Sequence, residues 1–255
     1  MPADTANDDA TGRRAYAAPA LEKGLDILEL LATAEEPLST RAIAERLGRS
    51  KAEIFRMVFV LVERGYLARD EADRLHLTNR LFELGMRTPR PRELAEVAVP
   101  LMERLSEDIG QSAHLVVVNR GETVVIATTT GGSDISFTLR LGYRRPAFDA
   151  TSGLIVLAYQ PAGALERMIA EAGGSVSVPA LHSTLSAIRD KGYHVSESHD
   201  VVGVTDIGCA VLGPGGRAVA SIVVPHLSRH GAEPNIDAIV EALRVTCAEI
   251  TAQLT

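Results

Sequence analysis

The chain has 255 residues, 46% of them hydrophobic, and carries 26 Lys and Arg against 33 Asp and Glu for a formal net charge of -7. That length accommodates one large domain or two ordinary ones with packed cores, and the acidic balance excludes a protein that coats nucleic acid over its whole surface. No apolar run approaches the roughly 20 residues of a membrane helix, the N-terminus lacks the apolar segment of a signal peptide, and Cys209 and Cys247 are too few for a disulfide framework or a four-ligand zinc site, so a cytoplasmic protein with no membrane partner, no cofactor and no metal is expected.

The charge is uneven along the chain. Residues 38–69 carry Arg41, Arg46, Arg49, Lys51, Arg56, Arg64 and Arg69 against Glu45, Glu53 and Glu63, while residues 91–255 carry a net charge of -6. A local basic face on an acidic protein is the pattern of a nucleic-acid reader with a second, unrelated half.

In chain order, residues 1–19 mix Ala, Asp, Thr and Pro without apolar periodicity, which predicts a disordered tail, with Arg13 and Arg14 as possible phosphate contacts. From Ala20 the spacing of Leu21, Leu25, Leu28 and Leu31, widened by Ile27 and Leu30, predicts an amphipathic helix. Ser39 is an N-cap for a short second helix carrying Ala42, Ile43 and Leu47, which Gly48 ends. Ser50 followed by Glu53 is a capping-box signal for a third helix with Ile54, Phe55, Val58, Leu61 and Val62 as its apolar positions, stopped by Gly65. Tyr66–Ala68 and Leu75–Leu77 then read as two short strands around a charged turn, the wing of a winged helix-turn-helix.

After Pro91 a long helix is predicted through Leu94, Val97, Ala98, Leu101 and Leu105 to Gly110. Strands are predicted at Leu115–Val118, Val124–Thr128 and Ile135–Leu139, with Asn119–Glu122 as a hairpin turn between the first two. Helices follow at Leu154–Tyr159, Leu165–Glu171 and Leu181–Lys191, then two strands around Gly213–Gly216 and a last helix over Asp237–Leu254. The sum is an α+β layer structure with a mostly antiparallel sheet and no internal repeat.

A helix entering the major groove presents polar residues near its N-terminal end while its other face packs on the preceding helix. Arg49, Ser50, Lys51, Glu53 and Arg56 meet that demand: Lys51 and Arg56 are spaced for phosphate or guanine, and Glu53 either completes the capping box or accepts a hydrogen bond from cytosine N4. Arg41 at the second helix, and Arg69 and Arg74 in the wing, are either backbone-phosphate contacts or solvated arginines.

Leu21–Leu28, Ile43–Gly48, Arg56 with Arg64–Leu67, Leu81–Gly85, Arg145–Gly153, Ile188–Tyr193 and Gly215–Ser221, taken together and in this order, resemble the IclR family of bacterial transcription regulators along nearly the whole chain. The resemblance implies a two-domain α+β protein: a winged helix-turn-helix over residues 20–86, a linker helix over 87–110, and a GAF-like α/β effector-binding domain over 111–255. It also implies a homodimer or homotetramer on palindromic double-stranded operator DNA, controlled by a small-molecule effector. By the same resemblance the effector pocket is lined by Thr151, Ser152 and Gly153, by the strand holding Asp206 and Cys209, and by Ser221 and Val223. Hydroxyls and N–H groups at a helix start suit an anion. Asp206 suits an effector that brings a hydrogen-bond donor or a cation, or else faces solvent, and Cys209 is either a small buried core residue or a reactive thiol.

The sequence departs from the family pattern at Lys51–Glu53, where a Lys-Ser-Thr run is common, at Gly153–Leu154, at Ser198–His199, at Asp206 and at Ala210, so operator and effector are its own. An enzyme would need a base, and His114, His182, His194, His199, His226 and His230 are available, but no nucleophile elbow, zinc-binding helix or phosphate loop accompanies them. His194, Ser198, His199 and Asp200 form the one crowded polar cluster and read as a surface loop, so no catalytic residue is assigned. A DNA-binding protein that senses nothing is the remaining alternative.

Overall fold

The computed structural model describes residues 18–86, 89–132, 136–171, 177–199, 201–227 and 235–254; the expected tail with Arg13 and Arg14, and also Arg87, Thr88, Ile135, Asp200 and His230, lie outside them. The chain divides into two compact units, residues 1–88 and 89–255.

The first unit contains α1 (Pro19–Ala32), α2 (Thr40–Arg46), α3 (Lys51–Glu63), β1 (Leu67–Arg69), β2 (Leu75–Leu77) and α4 (Arg80–Met86). Ser39 caps α2 by accepting the Ala42 N–H at 3.2 Å. Ser50 caps α3, with its hydroxyl accepting the Glu53 N–H and the Glu53 carboxylate accepting the Ser50 N–H. β1 and β2 form an antiparallel hairpin, to which Leu38 adds a bridge at Leu75. Ile27, Ile43, Ile54, Val58, Leu67 and Leu75 form the core of this unit. Three expectations fail here: Leu21 is 63% exposed, Leu25 48% and Phe55 53%. Ile27 and Leu31 define the buried stripe of α1, and Ile54 and Val58 that of α3, because each helix turns only about a third of its circumference to a core this small.

The second unit contains α5 (Pro89–Ile109), β3 (Ala113–Asn119), β4 (Glu122–Thr129), β5 (Arg144–Pro146), α6 (Thr151–Ala158), α7 (Ala162–Glu171), α8 (Val178–Lys191), β6 (Tyr193–Glu197), β7 (Val204–Leu212), β8 (Ala218–Leu227) and α9 (Ile236–Leu254). The six strands form one antiparallel sheet in the order β5-β4-β3-β8-β7-β6. The β3–β4 turn is the two-residue kind, with Arg120 and Gly121 both at positive φ, whose twist matches that of the strands it joins. Residues 136–140 carry no regular structure, contrary to the strand expected at Ile135–Leu139, and the edge strand is the short β5 instead. β6 falls where a polar surface loop was expected.

Strand alternation divides the side chains between two layers. Leu115, Ile207, Cys209, Val211, Ile222 and Val224 face α5 and α9, where Met102, Leu105, Leu243, Cys247 and Ile250 complete the larger core. The other face is covered by α6 and α8, with Ile155, Leu157, Leu185 and Ile188 at the centre of the smaller core. The close approach of α6 rests on two glycines. A Cβ on Gly153 would stand 2.0 Å from the Ala147 carbonyl oxygen, and one on Gly208 would stand 2.3 Å from Ile155 Cδ1.

Gly153→Ala is therefore expected to destabilise the protein by about 1–3 kcal/mol, the usual cost of overpacking a filled core. Urea unfolding of the two proteins checks this; an unchanged midpoint would mean that α6 can move off the Ala147 backbone without cost.

Candidate functional site

Each unit brings chemistry-bearing residues together in one place. In the first, the capping box fixes the start of α3. Glu53 Oε2 receives the Ser50 N–H at 3.2 Å and the Ser50 hydroxyl at 2.7 Å, while Glu53 Oε1 receives Lys23 Nζ of α1 at 2.5 Å. The Lys23 ammonium first, and then the Ser50 hydroxyl and N–H, hold the Glu53 carboxyl down at about 2. Both Glu53 oxygens are thus engaged within the protein, and this carboxylate anchors α3 to α1.

Arg49, Lys51 and Arg56 are exposed and make no ion pair among the described residues. Arg41 pairs with Glu45 at 2.8 Å on the surface of α2. In the wing, Arg69 pairs with Asp73 at 2.6 Å and Arg74 with Asp70 at 2.8 Å. Exposed pairs of this kind contribute little to stability and exchange readily for another anion. Arg46 at the end of α2 and Arg64 just after α3 are likewise exposed without an ion pair among the described residues, so cations without an ion pair lie on, before and after α3.

In the second unit a cavity of about 300 Å³ opens between the sheet and the start of α6. Thr151, Ser152, Asp206 and Val223 line it; Gly153, Cys209 and Ser221 do not. Gly153 is covered by the Ala147 backbone. Ser221 is on the cavity face of β8 but is capped by α6, donating its hydroxyl to the Ser152 carbonyl at 3.0 Å. Cys209 lies three residues from Asp206 on one strand, and an odd spacing turns it to the opposite face. There it is buried and hydrogen-bonded to Cys247, whose thiol is pushed well up by that bond and by burial.

Ala150 provides no side-chain cap for α6, so the N–H groups of the first turn, with the positive end of the helix dipole, face the cavity end where Thr151 and Ser152 stand. The Thr151 hydroxyl is within 2.6 Å of the Ser196 hydroxyl of β6. Phe137, Leu139, Phe148 and Leu154 provide apolar wall, and Arg145 and His199 add charge or hydrogen-bonding capacity. His194, which also lines the cavity, is held below its ordinary value by burial and then by the Lys191 charge.

His114 on β3 joins wall to sheet. Its Nε2 accepts the Leu139 N–H at 3.0 Å, which places the imidazole proton on Nδ1, and burial lowers its pKa to about 4. Nearby the Ser112 and Thr138 hydroxyls meet at 3.2 Å. The segment bearing Phe137 and Leu139 is thus tied to His114 of β3 and to Ser112 just before that strand.

Of these lining residues, those of β6 had a signal in the sequence: Tyr193-His-Val-Ser-Glu-Ser alternates apolar and polar, which is a half-buried strand with a polar face. His114, Phe137, Leu139 and Arg145 had none, because they reach the cavity through pairing between segments distant in sequence. Among the described residues no three His, Cys, Asp or Glu are grouped to hold a metal ion, and no helix is long and apolar enough to cross a membrane.

Comparison with known proteins gives two family matches: the IclR helix-turn-helix domain over residues 20–71, and the bacterial transcriptional regulator IclR C-terminal domain over residues 88–252. The chain is similar to the HTH-type transcriptional repressor AllR of Escherichia coli K12, at 26% identity over 245 residues, 93% of this chain and 90% of AllR. It is also similar to the uncharacterized HTH-type transcriptional regulator RhmR of the same organism, at 26% over 213 residues, 81% of this chain and 82% of RhmR. Among solved structures, an IclR homolog from Microbacterium hydrocarbonoxydans complexed with 4-hydroxybenzoate shares the fold, with a TM-score of 0.77 at 24% identity over 92% of this chain and 98% of that one.

The lowered pKa of His114 has a consequence for stability. Unfolded, the imidazole titrates near 6.5; folded, near 4. Between those values the unfolded chain binds a proton that the native chain does not, so stability falls as pH drops from about 6.5 towards 4, by up to roughly 3 kcal/mol. Gln at position 114 keeps an acceptor for Leu139 and does not titrate. His114→Gln should therefore lose less stability than the wild type between pH 7 and pH 4.5 in urea unfolding; equal losses would remove His114 as the cause.

Proposed function

The chain belongs to the IclR family of bacterial transcription regulators, and on that premise we propose that α3 carries its operator contacts and that the cavity at the start of α6 is its effector site. The protein is a DNA-binding transcription regulator responsive to a small molecule. The observation that carries the assignment within the chain is the pairing of a firmly capped α3, accompanied by the exposed cations Arg49, Lys51 and Arg56, with a cavity of mixed polar and apolar lining in a separate unit.

Arg49, Lys51 and Arg56 contact phosphate or guanine, Ser50 holds the helix start through the capping box, and Glu53 sets the angle of α3. Arg41, Arg69 and Arg74 contact the DNA backbone, exchanging Glu45, Asp73 and Asp70 for phosphate. A symmetric homodimer or homotetramer would bring two such heads to a palindromic site. The exposed Leu21 of α1 and Phe82 of α4, the latter 68% exposed, favour association of the first unit with a second copy. Repression is the mode, as in AllR.

The effector is a small organic acid with an apolar or aromatic body. Its carboxylate sits at the uncapped N-terminus of α6 beside Thr151 and Ser152, and its body lies against Phe137, Phe148 and Leu154. Asp206 would repel a second anion, so it faces a hydroxyl or other donor on the effector. The complex of the Microbacterium relative with 4-hydroxybenzoate, an aromatic acid with a phenolic hydroxyl, is consistent with that chemistry. The cavity is a sensing site; no catalytic residue, metal or cofactor is assigned, and the protein acts in the cytoplasm. α5, packed against the opposite face of the same sheet, carries the effector's influence to the DNA-binding heads.

Titration of the purified protein into its own upstream intergenic DNA, against unrelated DNA of equal length, tests the assignment. Selective retardation is expected, and equal retardation of both would overturn it. Arg56→Ala should weaken binding to all sequences and lower the slope of log affinity against log salt by about 1; an unchanged slope removes Arg56 from the phosphates. With 4-hydroxybenzoate and related small carboxylates as probes, Asp206→Ala should alter the dose response of operator release while leaving ligand-free operator affinity unchanged. An identical dose response would exclude Asp206 from the site.

A further inference from the structure

The outward face of α3 has a composition that phosphate contacts do not explain. Ile54 and Val58 are fully buried, and Met57, Leu61 and Val62 pack partly against the same core. At 3.6 residues per turn the opposite side presents Ala52, Phe55, Arg56, Phe59 and Val60, with Glu63 at its C-terminal end. Phe55 and Phe59, one turn apart, are exposed, Phe59 at 59%. An exposed apolar strip of this kind marks a surface covered by a partner.

Charge identifies the partner. Arg56 adjoins the strip, and Arg49 and Lys51 lie just before and at the start of the helix, all exposed and free of ion pairs among the described residues, in a chain whose residues 91–255 are net acidic. A polyanion fits there, and the α2–α3 arrangement presents this face to a major groove. Hydrogen-bond readout from the first turn is restricted, because Ser50 and Glu53 are occupied with each other and Glu53 also with Lys23. In the major groove, the one apolar group on a base edge is the 5-methyl of thymine, and Ala and Phe are among the side chains that contact it.

We propose that Phe55, with Ala52 three residues before it on the same face, reads thymine in each operator half-site through its 5-methyl group, and that Phe59 continues the same apolar strip. The inference rests on the reading of α3 as the helix that enters the groove. It makes Phe55 a specificity-determining residue, acting where a hydroxyl-rich first turn would read bases by hydrogen bonds.

The test uses the full-length protein and the tightest duplex selected from a randomised library. Each thymine is replaced in turn by deoxyuridine, which removes the methyl and leaves every hydrogen-bonding group. At one or two positions per half-site the wild type should lose about fourfold in affinity, which corresponds to about 0.8 kcal/mol for one buried carbon. Phe55→Ala should bind the thymine and deoxyuridine duplexes equally, while Arg56→Ala, weaker on both, should keep the ratio. Phe55 is half exposed, so its truncation spares the core, and Phe55→Gln serves as a second variant. A wild type indifferent to every methyl overturns the inference and leaves DNA binding standing, as does a ratio that survives in both Phe55 variants. Failure to select any duplex overturns the reading of α3 itself. A Phe55 variant that changes oligomeric state while the methyl ratio persists assigns the strip to a protein contact and overturns the proposal.

Discussion

The second unit depends on how closely α6 lies on its sheet. Only hydrogen fits between the Gly153 backbone and the Ala147 carbonyl, or between Gly208 and Ile155. A side chain at Gly153 would press on the Ala147 backbone, whereas one at Gly208 would first displace the end of the Ile155 side chain; a displaced α6 would break the Ser221 bond to the Ser152 carbonyl. It would also withdraw the helix start from the Ser196 hydroxyl that meets Thr151. Ala150, the residue before α6, provides no side-chain cap for its first turn, and the cavity opens at that end of the helix. Sensing site and packing constraint are thus one feature: the backbone groups that attract an anion are held in place by two residues that have no side chain.

The sheet separates the cavity from α5 and α9, so any influence of a bound molecule on α5 must cross a single layer of strands. Side-chain alternation provides the route. On β3, His114 faces the cavity and binds the Leu139 N–H, while its neighbours Ala113 and Leu115 are buried in the core shared with Met102 and Leu105 of α5. On β7, Asp206 lines the cavity and the adjacent Ile207 is buried on the α5 side. A close-packed interior transmits small shifts rather than absorbing them, and these strands make contact with both sides.

In the first unit the ordering works in the opposite sense, from charge to packing. Lys23 reaches from α1 to the Glu53 carboxylate that caps α3, so an ion pair and a capping box together fix the angle at which α3 is held. The helix can then present an outward face rich in Phe and Arg without losing its register, because Ile54 and Val58 anchor the other side.

Local signals carried much of this architecture in the sequence. Ser39, the Ser50–Glu53 pair and the Asn119–Glu122 turn act within a few residues of themselves, and hydrogen bonding over that range is decided by residue type and spacing. The identity of both units was also legible, because the family motifs are spread along the whole chain. Three matters were decided only by tertiary structure. Which leucine or phenylalanine of an apolar stripe is buried depends on the direction of the core, so Leu21, Leu25 and Phe55 were misread. Which of Asp206 and Cys209 meets the cavity depends on strand register, since neighbouring faces of one strand belong to different layers. And the wall formed by His114, Phe137, Leu139 and Arg145 exists only once β3, β4 and β5 pair, bringing together residues whose separation in sequence no local pattern records.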